Sequence, residues 1–247
     1  MSGDLFSLRM LVVAGTESEA DLWRQGASGA SIPIEFHAQD PTAATNTIAK
    51  GNLDICVLDG ALPDPYKAGV VKAARMSRPS PLVFVSTPHG ASRFEGADGM
   101  LRKPASAADA RKLAEICIRA KIPTRVLIVD DSSTMRSIVR KILSASRFAL
   151  EFEEATEGFA ALSQVRSGKF GLVFLDYNMP GFNGLETLSE IRRESPDVGV
   201  VMMTSTVDIA LADRARAAGA LAFLKKPFFP ADIDAVLDRY FGLYAGN

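Results

Sequence analysis

The sequence predicts an α/β protein made of two tandem doubly wound parallel sheets, and three observations carry that expectation. Short apolar runs alternate with stretches of helical periodicity. The runs are unbroken rather than alternating, as in strands buried on both faces of a parallel sheet. The whole order then recurs after about half the chain, with polar residues at matching places. A chain of 247 residues has room for two such units, each with its own core.

The second half is the clearer copy. Val126, Leu127, Ile128 and Val129 form an apolar strand that ends in Asp130 and Asp131. Residues 133–143 then place Met135, Ile138, Val139 and Ile142 on one helical face. Residues 150–154 read as a strand, 159–165 as part of a helix, and 172–175 as a strand ending at Asp176. After Gly184 a helix carries Leu185, Leu188 and Ile191. A strand over 198–203, a helix over 209–218, a short strand over 221–224 and a last helix over 230–240 complete five βα units. Right-handed crossovers then build a doubly wound sandwich.

The first half repeats the order, with strands expected at 10–14, 32–36, 53–58, 82–85 and 100–101. Asp59 and Asp176 both end a third strand (176 − 59 = 117), and Ser86 and Thr204 both end a fourth (204 − 86 = 118). Lys103-Pro104 and Lys226-Pro227 both follow a fifth (226 − 103 = 123). The offset grows by five between the last two landmarks, so the first copy is about five residues shorter there. That stretch, TPHGASRFEGADG, is too rich in glycine and polar residues for a strong helix, and the fourth helix of this copy is expected to be short or absent. Pro123 stops the preceding helix, which divides the chain into 1–121 and 122–247.

Composition excludes several classes. The net charge is −1, and neither half is basic: 14 Lys and Arg against 13 Asp and Glu before Ile122, and 14 against 16 from it onward. No field advertises nucleic acid or an anionic membrane, and no run approaches the ~18 apolar residues of a spanning helix. The start, MSGDLFSLRM, lacks a signal peptide's apolar core. Cys56 and Cys117 sit in apolar contexts, as buried free thiols in a reducing compartment do, and a cytoplasmic protein is expected. His37 and His89 read as ordinary strand-end or loop residues.

In open α/β sheets ligands bind at the carboxyl ends of the strands. The second copy puts Asp130, Asp131, Asp176, Thr204 and Lys226 there. Each has a plain structural reading: a helix cap for Asp131, a turn residue for Asp176, a strand end for Thr204, a solvated charge for Lys226. Five such coincidences at one sheet edge are harder to accept than one site. Three converging carboxylates repel one another, and a hard divalent cation with oxygen ligands, Mg2+, relieves that repulsion. A metal, a lysine and a hydroxyl around one carboxylate match the needs of phosphoryl transfer.

The segments VLIVDDSSTMR, FLDYNMPGFNGLE, VMMTS and FLKKPF resemble the chemotaxis-type receiver domain of two-component response regulators, over residues 124–243. The resemblance implies a flavodoxin-like strand order 2-1-3-4-5 in each unit. It makes Asp176 the phosphoacceptor, supplied by a histidine kinase or histidine phosphotransfer protein. Asp131 and Asp176 would bind Mg2+ directly with the main-chain carbonyl of Asn178, and Asp130 mostly through water. Lys226 would pair with the phosphoryl group, across a cis Lys226-Pro227 bond. Thr204 would move to the phosphoryl oxygen, and Phe223 stands at the switch-aromatic position. Phosphorylation would repack the face made by the fourth helix, fifth strand and fifth helix, through which receivers commonly form homodimers.

The first copy resembles a receiver that has lost its metal: Ala14 and Gly15 stand where Asp130 and Asp131 do, while Asp59, Ser86 and Lys103 remain. Asp59 and Lys103 are expected to form a standing ion pair, with Glu17 and Glu19 starting the first helix. This half is expected to serve docking or inter-domain regulation. The chain leaves no residues for a helix-turn-helix or an enzymatic output domain, so output is expected through contacts with a protein target rather than with nucleic acid or a membrane. The competing readings are an Mg2+-dependent Asp-nucleophile phosphatase and a constitutive scaffold. The phosphatase would carry an acid two residues beyond its nucleophile, where this chain has Asn178.

Overall fold

The computed structural model describes residues 7–88, 91–206 and 209–243. The first unit runs β1 (Leu8–Val13), α1 (Glu17–Ser28), β2 (Ile34–Gln39), α2 (Pro41–Ala49), β3 (Ile55–Asp59), α3 (Asp64–Met76), β4 (Leu82–Thr87), β5 (Gly99–Arg102) and α4 (Ala107–Lys121). The second runs β6 (Thr124–Val129), α5 (Ser133–Ser144), β7 (Leu150–Ala155), α6 (Gly158–Ser167), β8 (Leu172–Asp176), α7 (Gly184–Glu194), β9 (Gly199–Thr204), α8 (Ile209–Ala217), β10 (Ala222–Lys225) and α9 (Pro230–Phe241). Both sheets are parallel and five-stranded, in the orders β2-β1-β3-β4-β5 and β7-β6-β8-β9-β10. The fold expected from the sequence is therefore the fold observed, twice.

Burial explains why the strand runs are unbroken. Every residue of β3, β4 and β8 is buried, because helices cover both faces of these inner strands. The edge strands β2 (IEFHAQ) and β7 (LEFEEA) carry the polar residues. The division into compact units departs from 1–121 and 122–247. One unit extends to Ile122 and takes in the stretch from Phe241, and the other is Pro123–Tyr240. Cys56 and Cys117 are buried and free, and burial pushes the Cys56 thiol up to about 12. No described helix is long and apolar enough to cross a membrane. His37 lies on β2 with Nε2 3.1 Å from Glu35 Oε1, whereas His89 lies outside the described residues, as do the first six residues.

Two expectations need correction. β2 starts two residues later than expected and runs to Gln39, because Pro33 lacks an N–H and serves only as an acceptor, its carbonyl taking the Leu8 N–H at 3.0 Å. The predicted face of α5 also splits. Val139 and Leu143 face the core, while Ile138 is 44% exposed and lies with Met135 on a cavity beside Lys226.

Among the described residues no helix lies between β4 and β5. A polar clamp holds this segment instead. Asp98, 4% exposed, accepts from Val83 N at 2.6 Å and from Arg75 Nη2 at 2.7 Å, and Arg75 also donates to the Gly96 carbonyl at 2.8 Å. Gly96 turns the chain with φ +80°, a conformation costly for other residues. Asp98→Ala would leave the Val83 N–H buried without an acceptor. We expect it to destabilise the first unit by about 1–3 kcal/mol, read as a lower urea midpoint of Trp23 fluorescence.

Candidate functional site

The parallel order brings the carboxyl ends of β6, β8, β9 and β10 to one edge of the second sheet. Asp130 follows β6, Asp176 ends β8, Thr204 ends β9, and Lys226 follows β10. Oxygens of Asp130, Asp131 and Asp176 all lie within 4.8 Å of one another. Lys226 Nζ bridges two of these carboxylates, at 2.6 Å from Asp130 Oδ2 and 2.8 Å from Asp176 Oδ1. Asp130 and Asp176 are buried, whereas Asp131 is exposed at the mouth.

Burial raises the Asp176 pKa above the usual carboxylate value, with Lys226 opposing and the two other aspartates adding to the rise. Burial works against the charge of Lys226, but its hydrogen bonds to Asp130 and Asp176 outweigh that and hold its pKa above the ordinary lysine value. Three carboxylates face one ammonium, so the edge carries two uncompensated negative charges. Clustered oxygen donors with that deficit suit a hard divalent cation.

Local structure aims these groups. Ser132 caps α5, its hydroxyl accepting from Met135 N, so Asp131 is not the cap and its carboxylate stays free. Asp130 Oδ1 accepts from Ser132 N at 2.9 Å, which fixes its rotamer. After Asp176 the chain turns back on itself, and Asn183 and Glu186 form a capping box that starts α7. Gly184 permits this, because a Cβ there would lie 2.3 Å from the Asp176 carbonyl oxygen. Thr204 is fully buried and its hydroxyl accepts from Thr206 N at 3.1 Å. Asn178 is exposed on the turn. Phe223 is partly buried against the unit's core and lines a cavity of about 280 Å³ with Arg216, Val236 and Arg239. The Lys226-Pro227 bond is cis.

Two groups escaped the sequence. Arg136 donates from Nη1 to the Asp130 carbonyl at 2.8 Å and from Nε to Glu154 at 2.9 Å, tying α5 to the end of β6. Met135, Ile138, Pro227 and Phe228 make an apolar wall beside Lys226, around a cavity of about 320 Å³. Helical periodicity hid Arg136, Met135 and Ile138, since it assigns a side chain to core or solvent and has no place for the rim of a site.

In the first unit the same edge is built differently. Lys103 Nζ lies 3.0 Å from Asp59 Oδ1, the standing ion pair expected from the sequence. Sheet register corrects one correspondence. Asp59 pairs with Ser86 and Asp176 with Met203. Gly60 N donates to Ser86 O, as Tyr177 N does to Met203 O, and Lys103 N donates to Thr87 O, as Lys226 N does to Thr204 O. Thr87, not Ser86, therefore matches Thr204 (204 − 87 = 117), and the first copy is six residues shorter rather than five. Spacing alone allowed either of two adjacent hydroxyls. Gly15 N, in place of a carboxylate, donates to Asp59 Oδ2 at 3.2 Å. Glu19 starts α1 as expected, yet it is 5% exposed, with Oε2 2.8 Å from Lys103 Nζ.

A family model described as "Response regulator receiver domain" matches residues 126–238. The chain is 37% identical over 119 residues to chemotaxis protein CheY-3 of Vibrio cholerae, covering 47% of this chain and 91% of that protein. It is 29% identical over 138 residues to the cyclic di-GMP phosphodiesterase response regulator RpfG of Xanthomonas campestris, covering 55% of this chain and 36% of that one. A solved structure described as a "probable two-component system response regulator/GGDEF domain protein" covers 95% of this chain and 98% of its own, at 19% identity and a TM-score of 0.55, and so shares the fold over both units.

Gly184→Ala should push α7 away from the Asp176 backbone. The expected result is a second unit about 1–3 kcal/mol less stable, with faster amide exchange in β8 and α7 and unchanged exchange in the first unit.

Proposed function

The chain belongs to the response regulator receiver family, and from that premise we propose that its second unit accepts a phosphoryl group on Asp176 from a histidine of a kinase or phosphotransfer protein. The observation that carries this reading is the bridge from Lys226 Nζ to Asp130 and Asp176, inside a cluster of three carboxylates. When bound, Mg2+ would supply the charge that neutralises the transferring phosphoryl oxygens. Asp131, Asp176 and the main-chain carbonyl of Asn178 would hold it, with Asp130 acting mostly through water.

In the transfer a carboxylate oxygen of Asp176 bonds to phosphorus as the bond from phosphorus to the donor imidazole nitrogen breaks. The departing imidazole keeps the electron pair and takes a proton from solvent. Asp176 then no longer offers Lys226 a free carboxylate, and the ammonium pairs with a phosphoryl oxygen instead. Thr204, whose hydroxyl accepts from Thr206 N, keeps its own proton to donate to the phosphoryl group. Its movement opens space toward Phe223, and repacking of α8, β10 and α9 becomes the signal, read by a partner protein or by a second copy. The apolar wall of Met135, Ile138, Pro227 and Phe228 beside Lys226 gives the donor protein a surface to cover while water is excluded. The first unit is a degenerate receiver, with Ala14 and Gly15 in place of the acidic pair, and serves docking or regulation.

Incubation with Mg2+ and acetyl phosphate, followed by intact mass measurement, tests this. One phosphoryl adduct is expected on the wild-type chain and none on Asp176→Asn, with Asp59→Asn behaving as wild type. Lys226→Ala should slow adduct formation by roughly 10²-fold, the order seen when one charge-stabilising donor is removed. An adduct that survives Asp176→Asn sinks the assignment.

A further inference from the structure

Each sheet edge collects more carboxylates than ammonium groups, but the imbalance differs. The second unit sets Asp130, Asp131 and Asp176 against Lys226, a deficit of two charges. The first sets Asp59 and Glu19 against Lys103, a deficit of one, since Gly15 contributes only an N–H. From this geometry we propose that the Glu19–Asp59–Lys103 cluster is a proton-binding site, in which a proton on Glu19 balances the charge that a divalent cation would balance in the other unit.

The hydrogen bonds decide which carboxyl carries the proton. Asp59 is 3% exposed and well supplied with donors: Lys103 Nζ at 3.0 Å and Ala61 N at 2.9 Å on Oδ1, and Gly15 N at 3.2 Å on Oδ2. Burial opposes its charge, but the hydrogen bonds from Ala61 and Lys103 prevail and hold its pKa below the usual value. Glu19 is as deeply buried and has no such set. Lys103 reaches Oε2 at 2.8 Å without hydrogen-bond geometry, so that oxygen has a charge beside it but no directed donor. Two buried carboxylates beside one ammonium leave one negative charge uncompensated, and Asp59 holds the directed donors, so the proton falls to Glu19. Burial, with Asp59 adding, pushes Glu19 up to about 7 against the pull of Lys103.

Among the described residues the neighbouring charged groups are engaged elsewhere: Lys67 donates to the Gly60 carbonyl at 2.9 Å and pairs with Asp64, and Asp40 caps α2. On β2, Glu35 pairs with Arg9 and His37. On α4, which packs along α1, Asp109 is bound to Ser106, Glu115 to Ser31, Arg111 lies by Gly29 at the far end of α1, and Lys112 is exposed. On α1 itself Glu17 is exposed and Asp21 pairs with Arg24. The pocket thus alternates between neutral and singly negative within the physiological range. One turn further along α1 sits Trp23, fully buried and the chain's single tryptophan, where it reports on the change.

The test is a carboxyl carbon NMR titration of the full chain labelled in glutamate, with Trp23 fluorescence followed in parallel. The expected result is one glutamate titrating near 7, missing in Glu19→Gln. Excess Mg2+ should leave that midpoint in place. Lys103→Gln should raise it, because the ammonium is what lowers the Glu19 value, and this variant keeps the test decisive if Glu19→Gln does not fold. The absence of any glutamate titrating near 7 would overturn the proposal. So would a midpoint that falls as Mg2+ is added, since the cluster would then bind metal.

Discussion

A buried carboxylate needs a cation, and in both units the lysine after the last strand supplies it. Lys226 spans Asp130 and Asp176, and Lys103 spans Asp59 and Glu19. Removing one partner of such a buried pair leaves an uncompensated charge, a loss of several kcal/mol by the usual estimates. The arrangement depends on parallel strands, which put all the carboxyl ends on one edge, and on the order 2-1-3-4-5, which sets the ends of the first, third, fourth and fifth strands side by side there. The chemistry of the site and the topology of the sheet are in this sense the same constraint.

The two copies show how little must change to alter the charge of such an edge. Register and main-chain hydrogen bonds are the same at β3–β4 and β8–β9, and the lysine holds the same relation to the hydroxyl-bearing strand. The differences lie in Ala14 and Gly15 just after the first strand and in Glu19 in the first turn of the following helix. With two carboxylates after the strand replaced by one on the helix, the charge count falls by one and Lys103 serves a smaller cluster. The Gly15 N–H then meets Asp59 directly, filling one of its acceptor sites with backbone.

The first unit also tolerates the loss of a layer element. Between β4 and β5 the second unit's counterpart helix has no equivalent among the described residues. Asp98 and Arg75 satisfy the strand edge and the loop carbonyl that a helix would otherwise cover. This pairing of buried Asp98 with exposed Arg75 is a packing device. Its value is that the Val83 N–H and the Gly96 carbonyl keep partners without new apolar surface.

Apolar runs, helical periodicity and the repeat by themselves determined two parallel sheets and a short or absent helix between β4 and β5, because those patterns record which faces are buried, while the strand order came from the family resemblance. The edge residues of the second unit were legible for a related reason: each polar group that ends an apolar strand has a plain structural reading alone, but Asp130, Asp176, Thr204 and Lys226 recur at one sheet edge and so stand out together. Only the tertiary structure decided between Ser86 and Thr87, since a one-residue step reverses the side chain and spacing cannot see it. Tertiary structure likewise turned Glu19 from a helix-start acid into a buried member of the first site and drew Arg136 to the Asp130 carbonyl. Contacts between a helix and a distant strand end depend on how the two pack, and no local pattern encodes that distance.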